Sequence, residues 1–431
     1  MTDLDAEHEI ASIRALSVEI VDTVARIHPS NLKPKLGSFP PSEVPDNQRA
    51  LPGFNFSIPL TFDDGTEWVI RFPLKTRTVF ALLKRKILSE VATIKWLKLN
   101  TSIPCPAIHA YDPEGKSNWN ATRRHCLIMD RMKGRALRNL EWRNMPSPQR
   151  DKVFQHIARV MVELGSHLFD HIGSLVEHPD GTIGVGPLAE ITCNEYSVLT
   201  GHPEFFINSL TYPTVLDYSV ALANMRLTYE VLQVNAISDT FADMWLFRSL
   251  LPSLVLPEYN RGPFLLRNGR LRREIVFFDD NYQLTGIINW EWSRTVPIQA
   301  ATMSPPFLTI PPVWPMSLSE YGWHQKMELI YAQHVNEVEN TLPVRGPSHR
   351  IQEELRKQAL NQFGTAVKAV DHVLTGGLNQ LSTAFWTAIF GPFFGNLDRR
   401  EFMQVCKSAP GVKSEFSRIK ALIEEHDRPG S

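Results

Sequence analysis

An excess of charge of either sign is missing from this chain: 45 lysines and arginines face 46 aspartates and glutamates, a net charge of -1 over 431 residues. General nucleic-acid binders and proteins that dock on acidic membranes carry a basic excess, so neither partner is expected, and small molecules or proteins remain. Cysteine is scarce. Cys105, Cys126, Cys193 and Cys406 form no Cys-x-x-Cys pair and no small-domain framework, which predicts reduced, mostly buried thiols. The acidic start Met1 to Glu7 lacks the basic and apolar blocks of a secretory signal, and the expected compartment is the cytoplasm. Long hydrophobic runs are absent as well, since the most apolar stretch, Phe385 to Gly395, is broken by glycine and proline and is too short to span a bilayer. Glycine, at 23, is outnumbered by proline, at 31, so loops are stiff, and no internal repeat is visible. At ~100–200 residues per domain, the length suggests two or three structural units that need no disulfide or metal to be stable.

What is present changes character along the chain. Apolar residues at Ile10, Ile13, Leu16, Ile20, Val21 and Val24 predict one helix over about 8–28, followed by a proline-rich linker from Gly37 to Gly53. Phe54, Phe56, Ile58, Leu60 and Phe62 then alternate with polar residues, and Trp68, Ile70 and Phe72 alternate with Val69 and Arg71 across the turn Asp63-Asp64-Gly65, which predicts a β-hairpin. Pro59 predicts an edge position, because it cannot donate to a ladder. A helix is expected over Val79–Leu99 with Leu83, Ile87, Ile94 and Leu97 inward. At 100° per residue Glu90 falls in that stripe, so it needs a cation, and Arg71 is the nearest candidate in sequence; a half-solvated rim position is the alternative. Cys126 to Met129 predicts a buried strand, and Ser147-Pro148 opens a helix running to Leu168. The remainder predicts helix, apart from a hairpin over 274–290 turning at Asp279-Asp280-Asn281. The units expected are an N-terminal helix and linker at 1–48, a β-rich lobe at 49–133, and a helical lobe at 134–431.

Several segments together resemble the aminoglycoside phosphotransferase family, in the branch found in filamentous fungi. They are Gly53-Phe54-Asn55 with Asp64 to Pro73, Ser89-Glu90-Val91-Ala92 to Pro106, Ile128 to Gly134, Ile172 to Leu175 with Val185 to Leu188, and Gly286-Ile287-Ile288-Asn289-Trp290-Glu291-Trp292 running into Val296-Pro297. The resemblance implies an α+β, bilobal protein-kinase-like fold. It also implies Arg71 as the phosphate-contacting cation, Glu90 as its helix partner, and Met129, Asp130 and Met132 in a hinge that reads an adenine edge. One glycine stands where protein kinases use three.

The chain departs from the family where the chemistry is done. Asn268 and Arg270 stand for the histidine and catalytic aspartate of His-Gly-Asp; the metal asparagine falls on Ile275 or Glu274, and the magnesium aspartate is Asn289. Arginine stays protonated and cannot be a general base, and an amide brings no negative charge to a hard dication. Arg267, Arg270, Arg272 and Arg273 crowd the same loop, and guanidinium forks bind carboxylate, sulfate or phosphate, so an anion site is expected there with Asn268 and Trp292. The expected function is a degenerate, pseudokinase-like protein that binds or transforms a small specialised metabolite, with no metal site. The alternative is a phosphotransferase using ATP and magnesium through Glu274 or Glu291, with Asp279 and Asp280 as further nearby carboxylates; a second is a regulatory protein-binding pseudokinase. His167, Asp170 and His171 share a helical face with metal-like spacing, although a capped, solvated helix end is the preferred explanation. Trp290, Trp292, Phe307, Trp314 and Trp323 line a substrate wall or simply pack the core.

Overall fold

The computed structural model describes residues 3–37, 53–137, 145–234, 236–301, 304–305, 307–308, 318–341, 370, 373–374, 385–395 and 397–427. Most of the expected linker between Gly37 and Gly53, and most of the proline-rich stretch 305–315 with Trp314, lie outside these residues.

The N-terminal apolar rhythm gives two helices rather than one, α1 (Asp3–Arg14) and α2 (Ser17–Ala25), because Leu16 turns out of helical geometry between them. The alternating segments form strands β2 (Asn55–Thr61) and β3 (Glu67–Pro73), paired antiparallel with Ser57 opposite Arg71. Their turn follows from its residues: Gly65 takes φ 85°, and the Asp64 carboxylate accepts the Thr66 N–H at 2.9 Å. Strands β1 (Lys35–Leu36), β4 (Ile108–Asp112) and β5 (Cys126–Asp130) complete an antiparallel sheet of order β1-β2-β3-β5-β4. Strand β2 is thus not at the edge along its whole length, since β1 covers Leu60 and Thr61. Pro59 remains tolerable, because its carbonyl accepts the Gly37 N–H at 2.8 Å and its missing donor lies on that same side, away from β3.

Period two sorts the sheet's faces. Phe56, Ile58, Leu60, Trp68, Ile70, Phe72, Cys126 and Ile128 pack against Ile13, Ile20 and Val24 of α1 and α2. The opposite face places Leu127 and Met129 against Ile87 and Val91 of α3 (Phe80–Asn100), so Arg71, which shares that face with Val69, points at the helix. The start of α3 is tied to the second lobe by Asn194, whose side chain accepts the Val79 N–H at 3.0 Å and donates to the Arg77 carbonyl at 2.8 Å.

Beyond the two-residue strand β6 (Arg135–Ala136) the chain is mainly helical: α4 (Ser147–Gly165), α5 (Ile191–Thr200), α6 (Val215–Gln233), α7 (Asp239–Leu254), α8 (Ile298–Ala301), α9 (Leu318–Thr341), α10 (Arg399–Ser408) and α11 (Pro410–His426). Helix α4 stops short of the expected Leu168, since Phe169 turns away to bridge Phe264. Strands are more numerous here than the sequence suggests. The expected hairpin is present as β10 (Val276–Phe278) and β11 (Leu284–Ile287), joined by β6, but β7 (Ser174–Glu177) pairs β8 (Ile183–Gly186), and β9 (Phe264–Arg267) pairs β12 (Arg294–Pro297). Each of these is four residues long, and β12 is buried throughout, so no alternation betrays it. The result is an α+β architecture, with a five-stranded antiparallel sheet in the N-terminal part and a mainly helical remainder. Its largest core fills the helical lobe around Tyr218, Phe241, Phe247 and Phe385. Among the described residues no helix is long and apolar enough to cross a membrane.

Candidate functional site in the interlobe cleft

Four charged side chains meet where β3, α3 and the turn after β11 converge. Arg71, 5% exposed, holds Glu90, 1% exposed, through Nη2, and its Nη1 donates to the Asn289 side-chain oxygen at 2.9 Å. Beside them Lys86 Nζ lies 2.8 Å from Glu291 Oε2. Asn55 closes the circuit: its amide nitrogen donates to Glu291 at 2.8 Å, and its oxygen accepts from Lys86 at 2.9 Å. Two cations and two carboxylates make a cluster of formally zero charge, with Asn55 and Asn289 as its neutral members. An aspartate at 289 would leave it one negative charge in excess.

Burial sets the electrostatics. It pushes the Lys86 ammonium down, opposed by Glu291, whereas the Glu291 carboxyl, despite its own burial, is held below its ordinary value by Lys86 and Arg71. A lid of rings covers the pair: Lys86 Nζ lies 5.6 Å from the Phe54 centroid and 5.5 Å from that of Trp292, and the two rings meet edge-on at 5.3 Å. Phe54, which alternation assigned to the inner face of β2, instead precedes the strand and packs with Leu82, Ala189 and Trp292 in the cleft.

The loop after β9 is fitted to this turn by backbone contact. Asn268, buried, donates to the Asn289 carbonyl at 3.1 Å and accepts the Arg270 N–H at 2.9 Å. A Cβ at Gly269 would sit 2.2 Å from the Trp292 carbonyl oxygen, so only glycine fits. Asn289 (φ 54°) and Trp292 (φ 61°) both adopt the left-handed region, an unusual conformation for tryptophan.

The four arginines do not converge. Arg267 donates to the Ala300 carbonyl at 2.9 Å on the far side of its strand, and Arg272 and Arg273 are exposed. Arg270 alone enters the cleft, its guanidinium 4.9 Å above the Phe54 ring, with no side-chain hydrogen bond or ion pair among the described residues. Burial, and then Arg272, lowers its pKa. Facing these two is Glu195 of α5, whose carboxyl is raised by burial and by Glu190 and lowered in turn by Arg270 and Arg272. Glu195 and Lys86 were missed by the sequence reading, and Phe54 and Asn55 were named only in the strand pattern or the Gly53-Phe54-Asn55 segment, without a role in the site. Lys86 left a signal, a lysine between Leu83 and Glu90 within the inward stripe.

The remaining candidates are dispersed. Glu274 is exposed and unpartnered among the described residues, Asp279 accepts the Asn281 and Gln283 N–H groups of its own turn, and Asp280 is exposed beside Arg135. Asp130 accepts from the Ala107 N–H at 2.8 Å and meets His109 at 2.7 Å; the Asp130 and Arg131 N–H groups go to the Ala107 and Glu67 carbonyls. Met129 is buried against α3, and Met132 lies over Gly286, where no Cβ would fit. His171 pairs with the adjacent Asp170, and the His167 ring sits against Trp96. Trp290 is fully buried in the core with the partly buried Phe307 and Trp323.

The donor set does not suit magnesium. The Asn289 oxygen and the Glu291 carboxylate, the groups nearest the expected metal position, already accept from Arg71, Lys86 and Asn55. Among the described residues no group of three or more metal-ligating side chains occurs.

No family model matches the chain. A stretch of 102 residues is 30% identical to the clavilactone A biosynthesis cluster protein Y of Ampulloclitocybe clavipes, and covers 23% of this chain and 24% of that protein. Similar solved structures include the streptomycin–ATP ternary complex of APH(2")-IIa (12% identity, TM-score 0.44, 86% of this chain and 97% of that one). They include the GDP complex of aminoglycoside 2'-phosphotransferase-IIIa (14%, 0.42, 87% and 92%) and the macrolide 2'-phosphotransferase MphH of Brachybacterium faecium (10%, 0.40, 85% and 96%).

Proposed function

We propose that this kinase-like protein has given up metal-assisted phosphoryl transfer and uses the mouth of its cleft to hold, or to transform, a small anionic metabolite. One observation carries the reading: the groups expected to serve the metal are neutral or engaged, Asn289 accepting from Arg71, and Glu291 held by Lys86 and Asn55. Phosphoryl transfer depends on metal ions that neutralise phosphate oxygens; the Arg71–Glu90 pair by itself is compatible with that chemistry, but the metal half is not supplied. A charge-balanced, buried cluster offers no spare anionic oxygen to a dication. The alternative route through displaced carboxylates has little support, since Glu274 is exposed and Glu291 is engaged.

Arg270 and Arg272 supply the anion preference. Arg270 is half-buried, stacked on Phe54 and free of an anionic partner within salt-bridge distance among the described residues, so an incoming carboxylate or phosphate gains a partly desolvated guanidinium fork. A role in specialised metabolism draws support from the 102-residue similarity to a fungal biosynthesis-cluster protein.

The test is thermal shift with two ligands. ATP with magnesium is expected to leave the melting temperature unchanged, and the pair Arg270→Asp with Asn289→Asp to create a response. Citrate, as an anion probe, is expected to raise the wild-type melting temperature, with the effect reduced in Arg270→Ala and Arg272→Ala. A strong wild-type shift with ATP and magnesium that disappears in Asn289→Ala would overturn the loss of nucleotide chemistry. Equal citrate response in wild type and both arginine variants would overturn the anion site.

A further inference from the structure

Away from the cleft, α9 presents Tyr331, Val335 and Glu339, four residues apart on one face, to α4 and β9. Together with Met161, Val162, Leu164 and Gly165 of α4, Leu265 and Leu266 of β9, and Ala301, they enclose a pocket with about 30 Å³ of space. Its walls are apolar apart from Glu339 and Tyr331. Glu339 is 7% exposed, yet both of its carboxylate oxygens are buried without a hydrogen-bond partner. Tyr331, 4% exposed, likewise makes no side-chain hydrogen bond among the described residues. Buried polar groups are ordinarily satisfied, and a carboxyl left with two bare oxygens is destabilising. Such a group in a lined cavity marks a place where something else completes the hydrogen bonds.

We propose that this pocket binds the head of a small primary amine, with the ammonium against the Glu339 carboxylate and its short alkyl chain against Leu265, Leu266 and Val335. An ammonium has three donors and a single charge. The two bare carboxylate oxygens accept two of them, and the charge compensates a carboxylate that cannot be left buried alone. About 30 Å³ is open to the centres of water-sized groups, more than one water needs, so the ammonium head fits with one or two carbons behind it. The free pocket holds a protonated acid at neutral pH, since burial pushes the Glu339 carboxyl up to about 8. Tyr331 is the other titratable side chain among the lining residues. The site shares no residue with the cleft and does not depend on the function proposed for it.

Titration calorimetry of the intact protein with ethylamine hydrochloride, at pH 7 in phosphate and in MOPS, tests this. Saturable binding is expected to release close to one proton per site (~0.9), because the ammonium draws Glu339 into its ionised form. Glu339→Gln, which keeps the shape, and Val335→Leu, which fills the space, are each expected to weaken binding at least ~10-fold; n-butylamine and ethanol should bind at least ~10-fold more weakly than ethylamine. Absence of saturable binding, of proton release, or of any difference in Glu339→Gln would overturn the proposal and leave the pocket to a structural water.

Discussion

Removing Lys86 alone is expected to harm this protein more than removing Lys86 and weakening Glu291 together. The pair is buried, with side chains 1% and 6% exposed and Nζ 2.8 Å from Oε2. Taking away one partner of such a pair costs about 3–5 kcal/mol, because the survivor stays desolvated and uncompensated. Proton exchange caps the loss. In Lys86→Met, Glu291 can take up a proton, which from an ordinary pKa near 4.3 costs about 4 kcal/mol at pH 7; in Glu291→Gln, Lys86 can shed one, at about 5 kcal/mol. Both singles should therefore fall at about 3–5 kcal/mol in urea unfolding followed by tryptophan fluorescence. The double variant keeps an amide for Asn55 and leaves no unpaired buried charge, and should lose about 2 kcal/mol or less, a coupling of about 4 kcal/mol or more. The singles should also diverge with pH. In Glu291→Gln the folded lysine's pKa is depressed, the folded state binds fewer protons than the unfolded, and stability rises with pH. In Lys86→Met the folded carboxyl's pKa is raised, and stability rises as pH falls. Single losses under about 1 kcal/mol, additive behaviour, or pH dependence of the opposite sign would refute the view that these charges exist for one another.

Gly269→Ala is expected to destabilise by about 1–3 kcal/mol in the same assay, because its Cβ would meet the Trp292 carbonyl oxygen at 2.2 Å and the turn carrying Asn289 must move; a loss within error of zero would mean that the loop yields freely. Glu415 is held at about 2 by hydrogen bonds from Arg418 and Arg248, against an ordinary 4.5. The stability it contributes is present above the unfolded value and lost as pH falls from about 4.5 toward about 2, so Glu415→Gln should flatten the acid limb of the stability profile. An unchanged limb would show that those arginines are engaged without effect.

The sequence by itself determined the parts in which a local pattern is repeated. Alternation from Phe56 to Phe72 set the two faces of the first hairpin, and with them the direction of Arg71. The stripe from Leu83 to Leu97 placed Glu90 inward, so the Arg71–Glu90 contact could be named from two elements adjacent in the chain. The fully buried strand β12 and the short β7–β8 hairpin carried no such rhythm and were missed. Tertiary structure alone decided what the charges do. Nothing near Lys86 in sequence announces Glu291, and Asn55 reaches it across 236 residues. Four arginines within seven positions read as one basic site, yet strand geometry sends Arg267 to a backbone carbonyl and leaves Arg272 and Arg273 outside, with only Arg270 over Phe54. Periodicity reports which face of an element is buried, whereas the energy of a buried charge depends on the group opposite, and that is fixed only when distant segments pack.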